Sequence, residues 1–183
     1  MRHVPTLSVL VALGVAGCGD SSILFQPDSA TASSSWSDAF VIENAINGSG
    51  LPRNFGPDDT HGLYRSDTHW STEDGDVAGA WAWFEFDRDV TIDSFYMWNH
   101  RSTSPPAFSE NYAITRFDLE LFDADDRRLL ELRDLRAEKN RADAQVFDFD
   151  STDEVRSVRL SVLENAGEPR VTGLAEVAFG GSP

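Results

Sequence analysis

The side chains with chemistry to offer are one cysteine, a few histidines and a large excess of carboxylates. Cys18 is the only thiol and follows Val15-Ala16-Gly17, small residues that leave the backbone open to a processing enzyme. With no second cysteine, the fold must stand without an internal disulfide. His61, His69 and His100 lack the short spacings that gather imidazoles around zinc. Nucleophile elbow, Ser-His-Asp order and phosphate-cradling glycine loop are missing. The 31 Asp and Glu residues are so numerous that some pair must fall close together, so paired carboxylates carry no information about glycosidase chemistry. The expectation is a chain that is not an enzyme and whose chemistry is covalent modification of Cys18 plus binding.

The context of Cys18 sharpens this. Met1-Arg2-His3 is a basic start, and Val4 to Gly17 is almost wholly apolar or small. This is the pattern of an export signal, too short to span a bilayer as a helix, which needs about 20 apolar residues. Val15-Ala16-Gly17-Cys18 resembles the lipobox of bacterial lipoproteins, in which the cysteine takes a thioether-linked diacylglycerol. That resemblance implies a signal peptide over residues 1–17 and a lipidated Cys18 opening a flexible tether over 18–30. The folded domain is expected over 31–183, in the cell envelope. Gly19, where aspartate would retain a lipoprotein at the inner membrane, implies the outer membrane in a Gram-negative host.

The elements that must position any binding site read as strands. Phe117-Asp118-Leu119-Glu120-Leu121, Phe147-Asp148-Phe149-Asp150 and Val158-Arg159-Leu160-Ser161-Val162 alternate apolar and polar residues, as half-buried strands do. Residues 81–86 and 92–98 are denser in aromatics and read as central strands, with Trp81, Trp83, Phe84 and Phe86 in the core. Arg127 to Lys139 has helical propensity but lies between alternating strands, so a strand or hairpin is expected. Ser37 to Ala45 is expected to form a short helix or helical turn. The joining stretches, such as Asp123-Ala124-Asp125-Asp126, are turn chemistry. Many strands and little helix make an all-β sandwich, a jelly roll of one domain. A formal charge of −16 repels nucleic acid and anionic lipid headgroups, so neither is an expected partner.

The order of motifs adds a second resemblance. Ala32-Ser33-Ser34-Ser35 leads to Asn44-Ala45-Ile46-Asn47-Gly48. Phe84-Glu85-Phe86-Asp87, Thr91-Ile92-Asp93-Ser94-Phe95 and Trp98-Asn99-His100 follow. Arg116 to Asp123, Val155 to Leu160 and Gly173-Leu174-Ala175-Glu176-Val177-Ala178-Phe179-Gly180 close the series. Across residues 31–181 this resembles the discoidin or coagulation-factor C-type domain and its bacterial carbohydrate-binding relatives. The family's aspartate in the "N-A-x-D-G" loop is Asn47 here, and its "D-L-G" is Asp87-Arg88-Asp89. The resemblance implies an eight-stranded, galactose-binding-like jelly roll with ligand loops at one end.

It also implies sites. A structural Ca²⁺ in the relatives is held by the "N-A-x-D-G" loop and a glutamate of the last strand, which map onto Asn44, Asn47, Ser49 and Glu176. Glu176 stands in an otherwise apolar strand, where a buried carboxylate must be paired or coordinated. Sugar-binding relatives use histidine, arginine and asparagine from loops beside an aromatic. The matching residues are His61, Tyr64, His69, Asn99, His100, Arg101 and Asn111, with Trp70 nearby. The expected role is a monomeric, non-catalytic module that recognises a glycan or other envelope polymer. The alternative is a structural or adhesive lipoprotein that binds a protein partner through the same loops.

Overall fold

The computed structural model describes residues 23–102 and 111–183. Cys18, the signal segment and the tether up to Ser22 lie outside the described residues. Among the described residues, eight strands form one antiparallel hydrogen-bonded network: β1 (Ile23–Phe25), β2 (Ser29–Ala32), β3 (Trp70–Ser71), β4 (Trp81–Asn99), β5 (Ile114–Phe122), β6 (Arg128–Arg136), β7 (Gln145–Asn165) and β8 (Gly173–Ser182). The order is β1-β8-β4-β7-β5-β6, with β2 added on β4 and β3 on β8. β4 and β7 are long because each serves both layers of the sandwich. Their pairing slips between Glu85 and Ser94, where bulges let one sheet fold over on itself. The architecture is the expected all-β jelly-roll sandwich.

The alternating pattern decides what is buried. Phe117, Leu119 and Leu121 of β5 are fully buried, and the intervening Asp118 and Glu120 are not. They meet Phe84, Phe95, Leu160 and Phe179 in the main core. β6 is a strand, as its context required, paired with β5 from Phe122↔Arg128 to Arg116↔Arg136. Asp123 closes the turn between them by accepting hydrogen bonds from the backbone of Asp125 and Arg127. The region from Ser37 to Ala45 keeps one helical turn, a 3₁₀ turn at Ile42–Ala45.

Two expectations are corrected. Trp81 and Trp83 are half-buried and point away from the core that takes Ala82, Phe84 and Phe86. Period two forces this, because alternate residues of a strand cannot share a face. On the outer face Trp83 stacks on Phe122 at 5.0 Å, and the Arg159 guanidinium lies 5.7 Å above Trp81. The folded part also begins before residue 31. β1 pairs Ile23↔Gly181 to Phe25↔Phe179, so this stretch is sheet and not tether.

Candidate functional site

The long segment between β2 and β3 winds across one end of the sandwich and carries most of the polar groups singled out by the sequence. Gly50 comes first. Its φ of +104° is left-handed backbone, and a Cβ there would sit 2.4 Å from His61 Cε1, so only glycine lets the chain pass over that ring. His61 lies between two backbone carbonyls, with Nδ1 3.0 Å from Gly62 O and Nε2 3.0 Å from Ser49 O. Burial lowers its pKa, against the opposing pull of those carbonyls.

His61, Tyr64, His69 and His100 converge, and Tyr112 joins them. Ring centroids are 4.9 Å apart for His61–His69, 5.3 Å for Tyr64–His69, 4.6 Å for Tyr64–His100 and 5.2 Å for both His69–His100 and His100–Tyr112. Phe40 stacks on Tyr64 at 5.4 Å. His69 and His100 are fully buried, so they back the surface instead of standing on it. The Thr68 hydroxyl donates to Arg65 O at 3.1 Å, leaving a lone pair for His69 Nδ1–H at 2.9 Å. Burial, then the neighbouring His100, His61 and Arg65, lower the His69 pKa to about 2, so its ring is neutral at ordinary pH. Burial likewise raises the Tyr64 phenol. Gly173 allows this packing from below, since a Cβ there would come within 2.8 Å of His100 Nδ1.

Above this block opens a cleft of about 550 Å³, lined by Gly50, Gly62, Leu63, Tyr64, Arg65 and Thr68. Arg101 adjoins it, its carbonyl accepting the Tyr64 N–H at 2.8 Å. Neither Arg65 nor Arg101 enters an ion pair among the described residues, although eight other arginines do. Trp36 N–H donates to Ser71 O, and Ser71 N–H donates to Phe40 O, which ties the Trp36 loop to the residues behind Tyr64. Trp36 is 47% exposed and Leu63 44%. Sequence reasoning missed Trp36, Phe40, Arg65 and Tyr112. Exposure was the missing signal, because a tryptophan in a loop reads the same whether it plugs the core or faces water.

Other residues in the expected ligand set have structural jobs. Asn99 is buried, its amide donating to Ile114 O at 2.7 Å and Glu138 O at 3.1 Å while its oxygen accepts from His100 N and Ile114 N. All of its capacity is spent on backbone, so it is not placed to read a ligand. Asn111 is half-buried and accepts from the Lys139 ammonium at 3.2 Å. Trp70 is fully buried and donates from Nε1 to Ser34 O.

The residues expected to hold calcium come only partly together. Glu176 is fully buried in β8, and Gly48 N–H donates to its Oε2 at 3.0 Å, so the loop and the glutamate do meet. Its other oxygen is taken by the Gln26 amide at 2.6 Å. Asn47 Oδ1 accepts from Ser49 N at 2.7 Å, and Ser49 Oγ donates to Asp67 O at 2.8 Å, so both close their own loop. Asn44 donates to Ala39 O and His69 O, bracketing the turn to the histidine block. Calcium wants six to eight oxygen ligands. One carboxylate, with an N–H directed at each of its oxygens, does not fit that requirement. Among the described residues no three His, Cys, Asp or Glu side chains gather as a metal group. Burial raises the Glu176 pKa to about 9, against the pull of Gly48 and Gln26.

No family model matches the sequence, and no curated protein does. Solved structures do. The family 32 carbohydrate-binding module of C. perfringens NanJ, solved with galactose, superposes with a TM-score of 0.61 at 14% identity, covering 86% of this chain and 99% of that one. A fucose-binding module of Streptococcus pneumoniae gives 0.60 at 14% identity over 88% and 96%. The family 32 module of AlyQ, solved with 4,5-unsaturated mannuronic acid, gives 0.59 at 16% identity over 86% and 97%. Strand order, burial pattern and these superpositions agree that the chain has the discoidin-like jelly-roll fold of family 32 carbohydrate-binding modules.

Proposed function

We propose that this chain is a non-catalytic binding module, held at the bacterial cell envelope by a lipid on Cys18, that takes a carbohydrate at the loop end of its sandwich. The observation that carries the reading is the cleft over the Tyr64–histidine block, with two guanidiniums beside it, Arg65 and Arg101, that enter no ion pair among the described residues. A sugar needs flat apolar surface for its carbon face and fixed donors for its hydroxyls. Tyr64 and Trp36 offer the first. Arg65 and Arg101 offer the second. A rigid, buried backing keeps these groups in place without conformational cost on binding. The solved modules with this fold bind galactose, fucose and mannuronate-type sugars, which supports the ligand class.

Lipid attachment supplies the location. Two or more acyl chains on Cys18 hold a protein stably at a membrane, whereas a single one does so marginally. Gly19 favours the outer membrane in a Gram-negative host. Labelled palmitate should enter the wild-type protein and not Cys18→Ser. The ligand reading is tested on a glycan array, followed by calorimetry on the hits. Binding to one sugar class that is lost in Arg65→Ala and Trp36→Ala supports it. Silence across neutral, amino and acidic sugars contradicts it.

A further inference from the structure

The Glu176 corner invites an explanation of its own, because a buried carboxyl here joins three stretches of chain that are far apart in sequence. Gln26 and Gly48 are separated from Glu176 by 150 and 128 positions, and both donate to it. Around it lie apolar neighbours: Trp98 stands opposite in the sheet register, and Ala175, Ala178, Leu24, Leu51 and Phe55 pack nearby. Among the described residues no guanidinium or ammonium bonds to Glu176. Gln26 also follows directly on β1, a strand of three residues on the sheet edge. Three ladder pairs are little to hold the end of a chain, and edge segments of this length fray unless something else ties them down.

We propose that Gln26, Gly48 and Glu176 form a metal-free clamp, in which the Gln26 amide and the Gly48 N–H take the positions a cation would need and fasten the first strand to the last. The Gln26 amide satisfies one carboxyl oxygen and Gly48 the other, so each buried acceptor has its donor without a divalent ion. The consequence is mechanical as well as thermodynamic. β1 is the described segment nearest to Cys18 in the chain, and the clamp ties that end into β8, inside the sheet, instead of leaving it on a loose edge.

Two measurements on the full-length chain purified in detergent test this. In thermal unfolding, excess Ca²⁺ and excess EDTA should give the same midpoint to within about 1 °C, because a ligand that binds only the native state raises the midpoint once its concentration exceeds its Kd. In hydrogen–deuterium exchange, Gln26→Ala should speed exchange of the β1 amides, Leu24 and Phe25, by about tenfold or more while amides of β5 and β7 stay protected. A midpoint that rises several degrees with Ca²⁺ and falls back with EDTA would overturn the proposal. So would β1 exchange in Gln26→Ala that matches the wild type.

Discussion

One loop, residues 44–50, lies between two buried polar regions that solve burial in opposite ways. On one side Glu176 accepts two directional hydrogen bonds from distant parts of the chain and becomes a joint. On the other, His61, His69, His100 and Tyr64 are held chiefly by ring packing and become the backing of a cleft. In both regions burial opposes charge. Burial raises the Glu176 carboxyl to about 9, and burial with the neighbouring His100, His61 and Arg65 lowers His69 to about 2. The difference teaches what each is for. A joint needs bonds between segments, and a binding surface needs rigid shape with free groups at its rim.

The largest expected effect breaks the ring side of this comparison. Gly50→Ala drives a methyl group against His61 and demands a strained positive φ, so it should destabilise the fold by about 3 kcal/mol or more in urea unfolding. A loss near zero would mean that the block has slack and does not brace the cleft.

Next comes pH, where the two regions should act with opposite sign. The folded-state pKa of His69 is depressed, so its contribution is present above the unfolded value of 6.5 and is lost as pH falls. By pH 5 the loss should reach about 2 kcal/mol. The folded-state pKa of Glu176 is raised above its ordinary 4.5, so its contribution is full below that value and is lost as pH rises toward 9. Denaturant titrations from pH 4.5 to 9 should therefore show His69→Gln flattening the acid limb and Glu176→Gln the alkaline limb. Neither variant altering its own limb would refute the assignment of these burial-shifted groups.

The smallest stability effects belong to exposed loop groups. Trp36→Ala and Arg65→Ala remove exposed loop groups and should change stability by about 0.5 kcal/mol or less. Their effect should fall instead on ligand affinity, by about tenfold or more, which corresponds to 1.4 kcal/mol. Equal losses of stability and affinity would make them structural residues.

Much of the fold was legible because burial imposes a period. Phe117, Leu119 and Leu121 announce β5 and its inner face, and Arg127 to Lys139 was readable as a strand from its neighbours despite its helical composition. The carboxyl of Glu176 stood out for the same reason, as one polar residue in an apolar strand. Trp81 and Trp83 were misread because aromatics occupy both alternating faces, at 81 and 83 and at 84 and 86, which hides the set that points inward. Gln26 was invisible as a site residue because the three apolar residues before it are too few to announce a strand, and only the pairing of β1 with β8 brings it to Glu176. Asn99 drew notice as a polar residue beside loop residues, and only the backbone around it shows that its hydrogen bonds are spent inside. The cleft itself is a property of loops meeting in space, and no local pattern encodes that.

The central claim is that the cleft above the Tyr64–histidine block takes a sugar. Calorimetric titration of the full chain with galactose, fucose and a mannuronate oligosaccharide, in parallel with Arg65→Ala, tests it most directly. The account predicts saturable binding of at least one of these, weakened about tenfold or more by Arg65→Ala at an unchanged unfolding midpoint. Binding that is indifferent to Arg65→Ala, or no heat with any of the three, would contradict it.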